Sequence, residues 1–281
     1  IGRHQNELSA SPVKKYAVEH GLRVLQPAKL KDPDFVEELR SLQADLQIVV
    51  AFRMLPEIVW NMPRLGTFNL HAALLPQYRG AAPINWAIIN GDTETGITTF
   101  FLDHDIDTGS VIQRVPVPIL DTDNVEDVHD KLMHLGGDLV IETVNNIIAG
   151  TVKPIPQSEI QTEGPLRPAP KIFKETCRID WNKSVKQTYD FIRGLSPYPA
   201  SWTELEHDGK TSVMKIYASQ KEFCQTNEPI GTILTDGKNY MKVAQKDGYQ
   251  NLITIQLAGK RRMQVAEFLR GFHPQGSIQV K

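Results

Sequence analysis

Leu46-Gln47-Ile48-Val49-Val50-Ala51-Phe52 is an apolar run of strand length, with the composition of a strand buried on both faces. A sheet covered on both faces needs helices on both faces, and the sequence supplies them in alternation. Strand-like runs at 22–25, 46–52, 65–70, 97–102 and 111–117 are interleaved with stretches of helical period at 12–21, 33–41 and 84–89. Ser11 before Pro12 fits an N-cap with proline at the first helical position. A long helix over 125–149 closes the set, with Val128, Leu132, Leu135, Leu139, Val140, Thr143 and Ile147 recurring every three or four residues. Together these predict an α/β fold with a parallel, doubly wound, Rossmann-like sheet.

From 153 to 170 the composition changes to Pro154, Pro156, Pro165, Pro168 and Pro170 with polar residues between, which reads as a linker. Beyond it come a helical stretch at 184–195 and five short strand-like runs at 200–205, 212–218, 230–234, 240–244 and 252–257. Asp208-Gly209, Asp236-Gly237 and Asp247-Gly248 punctuate them. Short strands with glycine turns predict a small OB-like β-barrel, a fold suited to nucleic acid. The expected domains are therefore 1–152, a linker at 153–170, and 171–281.

Charge divides along the same line. Residues 1–170 hold 14 Lys and Arg against 22 Asp and Glu, while residues 171–281 hold 17 against 11, so a net −2 conceals an acidic module and a basic one. A basic carboxyl-terminal module points to a polyanionic partner, although a merely solvated basic face has the same composition. No apolar run approaches the roughly 18 residues needed to span a bilayer, so no membrane partner is expected. Cys177 and Cys224 are too few for a disulfide framework or a zinc cluster, which suits reduced thiols in the cytoplasm. Asn182-Lys183-Ser184 fits a glycosylation sequon, read here as a chance match.

The chemistry concentrates where the run 65–70 ends. Asn69 and His71 are two residues apart, so on a strand both project from one face at its carboxyl end, where open α/β sheets bind ligands. Leu74-Leu75-Pro76 forces a turn, Arg79-Gly80-Ala81-Ala82-Pro83 opens the next helix, and Asp107-Thr108-Gly109 follows. An amide, an imidazole and a carboxylate suit group transfer through a tetrahedral oxyanion. Asp103, His104, Asp105 and Asp107, with His71, also have the composition of a hard-cation site, but no HExxH or equivalent spacing accompanies them, and no metal is expected.

Asn-x-His, a Leu-Leu-Pro turn and an Asp before Thr-Gly, in that order, resemble the folate-dependent formyltransferases. Arg178-Ile179-Asp180-Trp181 and the stretch from Gly259 to Gly271 resemble the second domain of the methionyl-tRNA formyltransferases, and Gly2-Arg3 with Ser11-Pro12-Val13-Lys14 resembles the loop and helix by which they grip the tRNA acceptor end. The resemblance covers nearly the whole chain. Family members begin with a strand, a helix and a second strand upstream of this loop. Ala73 stands where many have Ser, and His4-Gln5-Asn6-Glu7 where basic residues are frequent.

The resemblance implies formyl transfer from 10-formyltetrahydrofolate, as co-substrate, to the α-amine of initiator methionyl-tRNA, by a monomer. Asn69 and a protonated His71 would stabilise the oxyanion, and Asp107 would hold His71 and assist proton removal. It further implies a pterin pocket lined by Arg53, Met54, Leu55, His104 and Asp105, and a folate reactive end lined by Ala73, Leu74, Leu75 and Pro76. Arg3 and the cations Lys260, Arg261 and Arg262, on a turn before the last helix, would meet tRNA. Ala82-Pro83-Ile84-Asn85-Trp86 also resembles formyltransferases acting on amino sugar nucleotides, and hydrolysis of formyl-folate is the third reading; the basic second domain favours tRNA.

Overall fold

The computed structural model describes residues 10–51 and 54–281. The chain divides into two compact units, 1–47 with 53–66, and 48–52 with 67–281. The division falls inside the first expected domain, and the sheet and the barrel share the second unit.

In the first unit, α1 (Pro12–Glu19) starts where its cap predicts, with Ser11 Oγ accepting from Lys14 N at 3.2 Å. Asp32 caps α2 (Pro33–Ser41) in the same manner, and α3 (Glu57–Trp60) is a single turn after Pro56. Residues 22–25 do not form the expected strand. Among the described residues no ladder reaches them, and Leu22 N instead donates to Ala17 O at 2.8 Å, closing the turn after α1.

The second unit opens with a sheet of β1 (Gln47–Val50), β2 (Thr67–His71), β3 (Glu94–Phe101) and β4 (Val111–Pro118), in the order β1-β2-β3-β4. The β2–β3 and β3–β4 ladders are antiparallel, where parallel pairing was expected. Residues 102–110 hold no helix, and so short a connection returns a strand antiparallel rather than crossing over. Nor is β1 buried on both faces: it is the outer strand of the described sheet, with Ile48 46% and Val50 57% exposed.

Two helices pack on this sheet, α4 (Pro83–Ile89) and α5 (Val125–Ile148). The stripe of α5 runs through Val128, Leu132, Gly136, Leu139, Thr143 and Ile147, while Leu135 turns outward. Gly136 takes the expected place of Leu135 because Leu70 nests there; a Cβ on Gly136 would sit 2.8 Å from Leu70 Cδ2.

The barrel follows α6 (Val185–Gly194), whose Ser184 and Gln187 form a capping box. Strands β5 (Ser201–His207), β6 (Lys210–Phe223), β7 (Ile233–Thr235), β8 (Met241–Gln245) and β9 (Gly248–Leu257) lead to β10 (Met263–Gln264), α7 (Val265–Leu269) and β11 (Gln279–Val280). The antiparallel order β11-β5-β6-β9-β8-β7 curls on itself, with Ile233 N donating to Ile278 O at 2.9 Å and Val280 N to Gly231 O at 2.9 Å. Met214, Ile216, Leu252 and Ile255 fill the interior. The Rossmann-like domain plus small barrel that the sequence predicts is the architecture found.

Barrel and sheet modules are fastened through α6. Asn85 Nδ2 donates to Gly194 O at 2.9 Å, and a Cβ on Gly194 would meet Ile89 Cγ1 at 2.6 Å, so the approach of α4 to α6 requires glycine. Buried Arg193 donates to Leu120 O and Asp123 O at 3.0 and 2.9 Å, and to Asp190 at 2.8 Å. Among the described residues no helix is long and apolar enough to cross a membrane.

Candidate active site

Asn69 and His71 share one face of β2, opposite Phe100 and Thr98 of β3 respectively. His71 is buried, and its Nε2 lies 2.8 Å from the Tyr78 carbonyl oxygen. A carbonyl only accepts, so Nε2 carries the hydrogen and donates, which leaves Nδ1 as the nitrogen on the side of Asp107. Nδ1 faces Asp107 Oδ2 across 3.8 Å, longer than a hydrogen bond. Phe100 stands edge-on to the imidazole, with ring centroids 6.4 Å apart. Asn69 Oδ1 is buried and has no hydrogen-bond partner among the described residues, a cost that a substrate donor would relieve.

Asp107 is held in a left-handed conformation, φ 56°, which Asp tolerates better than most side chains. Gly80 N donates to its Oδ2 at 3.0 Å, the oxygen that also faces His71. Two residues on, a Cβ at Gly109 would lie 1.7 Å from Phe101 O, so the loop turns back against β3 as only glycine allows. The turn after β2 is pinned by Thr98, whose Oγ1 donates to Ala73 O at 2.6 Å and accepts from Leu75 N at 3.1 Å.

The presumed linker is a strap laid along this site. Tyr78 N donates to Arg167 O at 2.7 Å, and Ala81 N and Ala169 N bond across to Ala169 O and Arg79 O. The Tyr78 hydroxyl donates to Asp92 at 2.5 Å and accepts from Arg167 Nη1 at 3.1 Å; burial first, then the bond to Asp92, raises its pKa. Gln157, also buried, donates to the carbonyls of Asp107 and Gly109 and accepts from Arg79. Sequence reasoning passed over Tyr78, Thr98, Gln157 and Arg167. Tyr78 lay inside the quoted motif, whereas nothing in a proline-rich stretch distinguishes Gln157 or Arg167.

The remaining predicted residues fall in several places. Ala73, Leu75 and Pro76 are buried, Leu74 is half-buried, and the Ala73 carbonyl and Leu75 amide are already bonded to Thr98. His104 and Asp105 are exposed on the loop before Asp107. Met54, 67% exposed, and half-buried Leu55 belong to the first unit. Arg3 and Arg53 lie outside the described residues. Lys260, Arg261 and Arg262 sit on the turn before α7 as expected; Arg261 pairs with Glu267, and Arg262 lies 4.1 Å over the Tyr217 ring. Among the described residues no three His, Cys, Asp or Glu side chains are grouped to hold a metal ion.

Comparison with known proteins gives the family. The Formyl transferase family matches residues 2–144, and the Formyl transferase C-terminal domain matches residues 171–273. A methionyl-tRNA formyltransferase of Phocaeicola vulgatus is 71% identical over 283 residues, covering 100% of this chain and 87% of that one. One of Bacteroides fragilis is 66% identical over 278 residues, covering 98% and 86%. Among solved structures, HypX from Aquifex aeolicus in complex with tetrahydrofolic acid superposes with a TM-score of 0.60 at 20% identity, over 89% of this chain and 45% of that one. This chain thus spans under half of that protein, and the likeness is one of fold. With both family domains matched in order and curated relatives at this identity along its length, the chain belongs to the formyl transferase family, among the methionyl-tRNA formyltransferases.

Proposed function

We propose that the protein transfers the formyl group of 10-formyltetrahydrofolate to the α-amine of methionine carried by initiator tRNA. The observation that carries this reading is His71 Nδ1 facing Asp107 Oδ2 across 3.8 Å, on the same strand face as the unpartnered Asn69 Oδ1. The amine nitrogen attacks the formyl carbon, and the carbonyl pair moves onto oxygen. Asn69 Nδ2 and the Nδ1 proton of a charged His71 meet that oxyanion, while Asn69 Oδ1 accepts a hydrogen bond from the attacking amine. Asp107 takes the amine proton as the new N–C bond forms. Collapse of the intermediate breaks the bond from carbon to the folate N10, which receives the proton that Asp107 took from the amine, so formyl-methionyl-tRNA and tetrahydrofolate leave and the carboxylate is restored.

In this reading backbone groups of residues 104–105 read the pterin without charge, and residues 73–76 line the folate's reactive end. Arg3 and Lys260 to Arg262 take the tRNA backbone, and the enzyme acts as a cytoplasmic monomer. Labelled formyl-folate offered with charged initiator tRNA, with an amino sugar nucleotide, or with no acceptor tests the assignment. The label is expected on the tRNA alone. Comparable label on the sugar nucleotide, or comparable release as formate, would overturn it.

A further inference from the structure

Gln157 lies 48 and 50 residues in sequence from the two carbonyls to which its amide donates, and its side chain is used to capacity. Nε2 donates to Asp107 O and to Gly109 O, both at 2.8 Å, and Oε1 accepts from Arg79 Nε at 3.0 Å and Nη2 at 2.7 Å. An amide has two hydrogens and two acceptor lone pairs, and here each has a partner in a site where Gln157 is 5% exposed. The two carbonyls bracket the turn that contains the left-handed Asp107, a conformation that persists only where its surroundings impose it. The other restraint on that carboxylate is the amide of Gly80, next to Arg79 in sequence. Arg79 thus ties the Gly80 side of the site to the Gln157 side.

From this we infer that Gln157 is a positioning residue for formyl transfer: it holds the Asp107 turn so that the carboxylate stays aimed at His71 Nδ1. The inference rests on the reading of Asp107 as a catalytic group. Gln157 touches no reacting atom, so its loss moves the turnover number and leaves the substrate constants in place. The informative change is Gln157→Glu, equal in length and able to keep Arg79 as partner. It replaces both donors with a carboxylate oxygen facing two carbonyls. Outer-shell partners of this kind are worth about 10- to 100-fold in activity, and a displacement near 1 Å costs on the order of 100-fold.

The test measures kcat, both KM values and the melting temperature for Gln157→Glu, Gln157→Ala, Asp107→Asn and the double variant Asp107→Asn with Gln157→Glu. Gln157→Glu is expected to lower kcat at least about tenfold, with both KM values within about twofold. In the Asp107→Asn background the same change is expected to cost less than about twofold, since residues acting through one group are non-additive. Full kcat in Gln157→Glu, or an undiminished loss in the double variant, would overturn the inference. If Gln157→Glu melts below the assay temperature, Gln157→Ala assayed in the cold decides by the same two criteria. Asp107→Asn with wild-type kcat would instead sink the reading of the site itself, whatever Gln157 does.

Discussion

His71 shows how one backbone carbonyl decides a side chain's chemistry. With Nε2–H committed to Tyr78 O, the ring nitrogen left for other partners is Nδ1, the one facing Asp107. Asn69 has a different task in the proposed mechanism, where its amide offers one donor to the oxyanion and one acceptor to the amine. Removing one oxyanion donor costs roughly 10² to 10³ in rate, so Asn69→Ala is expected to lose kcat by about that factor in steady-state assays. Folate affinity, measured by fluorescence titration, should hold within about twofold; retained turnover would remove Asn69 from the mechanism. The grouping of Asn69, His71 and Asp107 was legible because their types and short spacings are unusual together. Their supports were not, because Tyr78 holds His71 with its own backbone carbonyl and Gln157 reaches a carbonyl 50 residues away, contacts that leave no pattern of residue types.

Strands and helices were legible where local signals decide them, as at the caps of α1, α2 and α6. Direction was not, because alternation of strand and helix fixes which elements occur but not which way a strand returns. The hold on residues 153–170 was not legible for a related reason: prolines deprive the stretch of regular secondary structure, yet Arg167 and Ala169 bond through their backbone to residues 77–82 and Ile155 pairs with Val111. The turn before α7 carries its own prediction. Lys260, Arg261 and Arg262 present three cations beside the barrel, and each phosphate contact released by salt adds about 0.7 to 0.9 to the slope of affinity against salt on logarithmic axes. Replacing all three with Ala should raise the KM for charged tRNA and flatten its salt dependence, leaving the KM for folate unchanged. An equal salt slope in the triple variant would put the tRNA track elsewhere.

Sheet and barrel in the second unit are joined through Arg193, which buried Asp190 orients from within α6 and which donates to two backbone carbonyls, Leu120 O and Asp123 O, so the basic module is held to the module that bears His71 and Asp107 rather than tethered by a loose spacer. A charge balance of −8 over residues 1–170 and +6 over 171–281 suits the proposed function, in which one module does chemistry and the other attracts a polyanion. The charge division was legible in composition, while the fastening was not, since Arg193 reads as an ordinary helix-surface cation. The proposed role of His71, set between Tyr78 O and Asp107, is to drive formyl transfer to methionyl-tRNA. It is tested most directly by single-turnover formation of formyl-methionyl-tRNA, with both substrates saturating, in the intact protein and in His71→Ala. The account predicts a rate at least about 10²-fold lower in His71→Ala with folate binding intact; a single-turnover rate equal to that of the intact protein would contradict it.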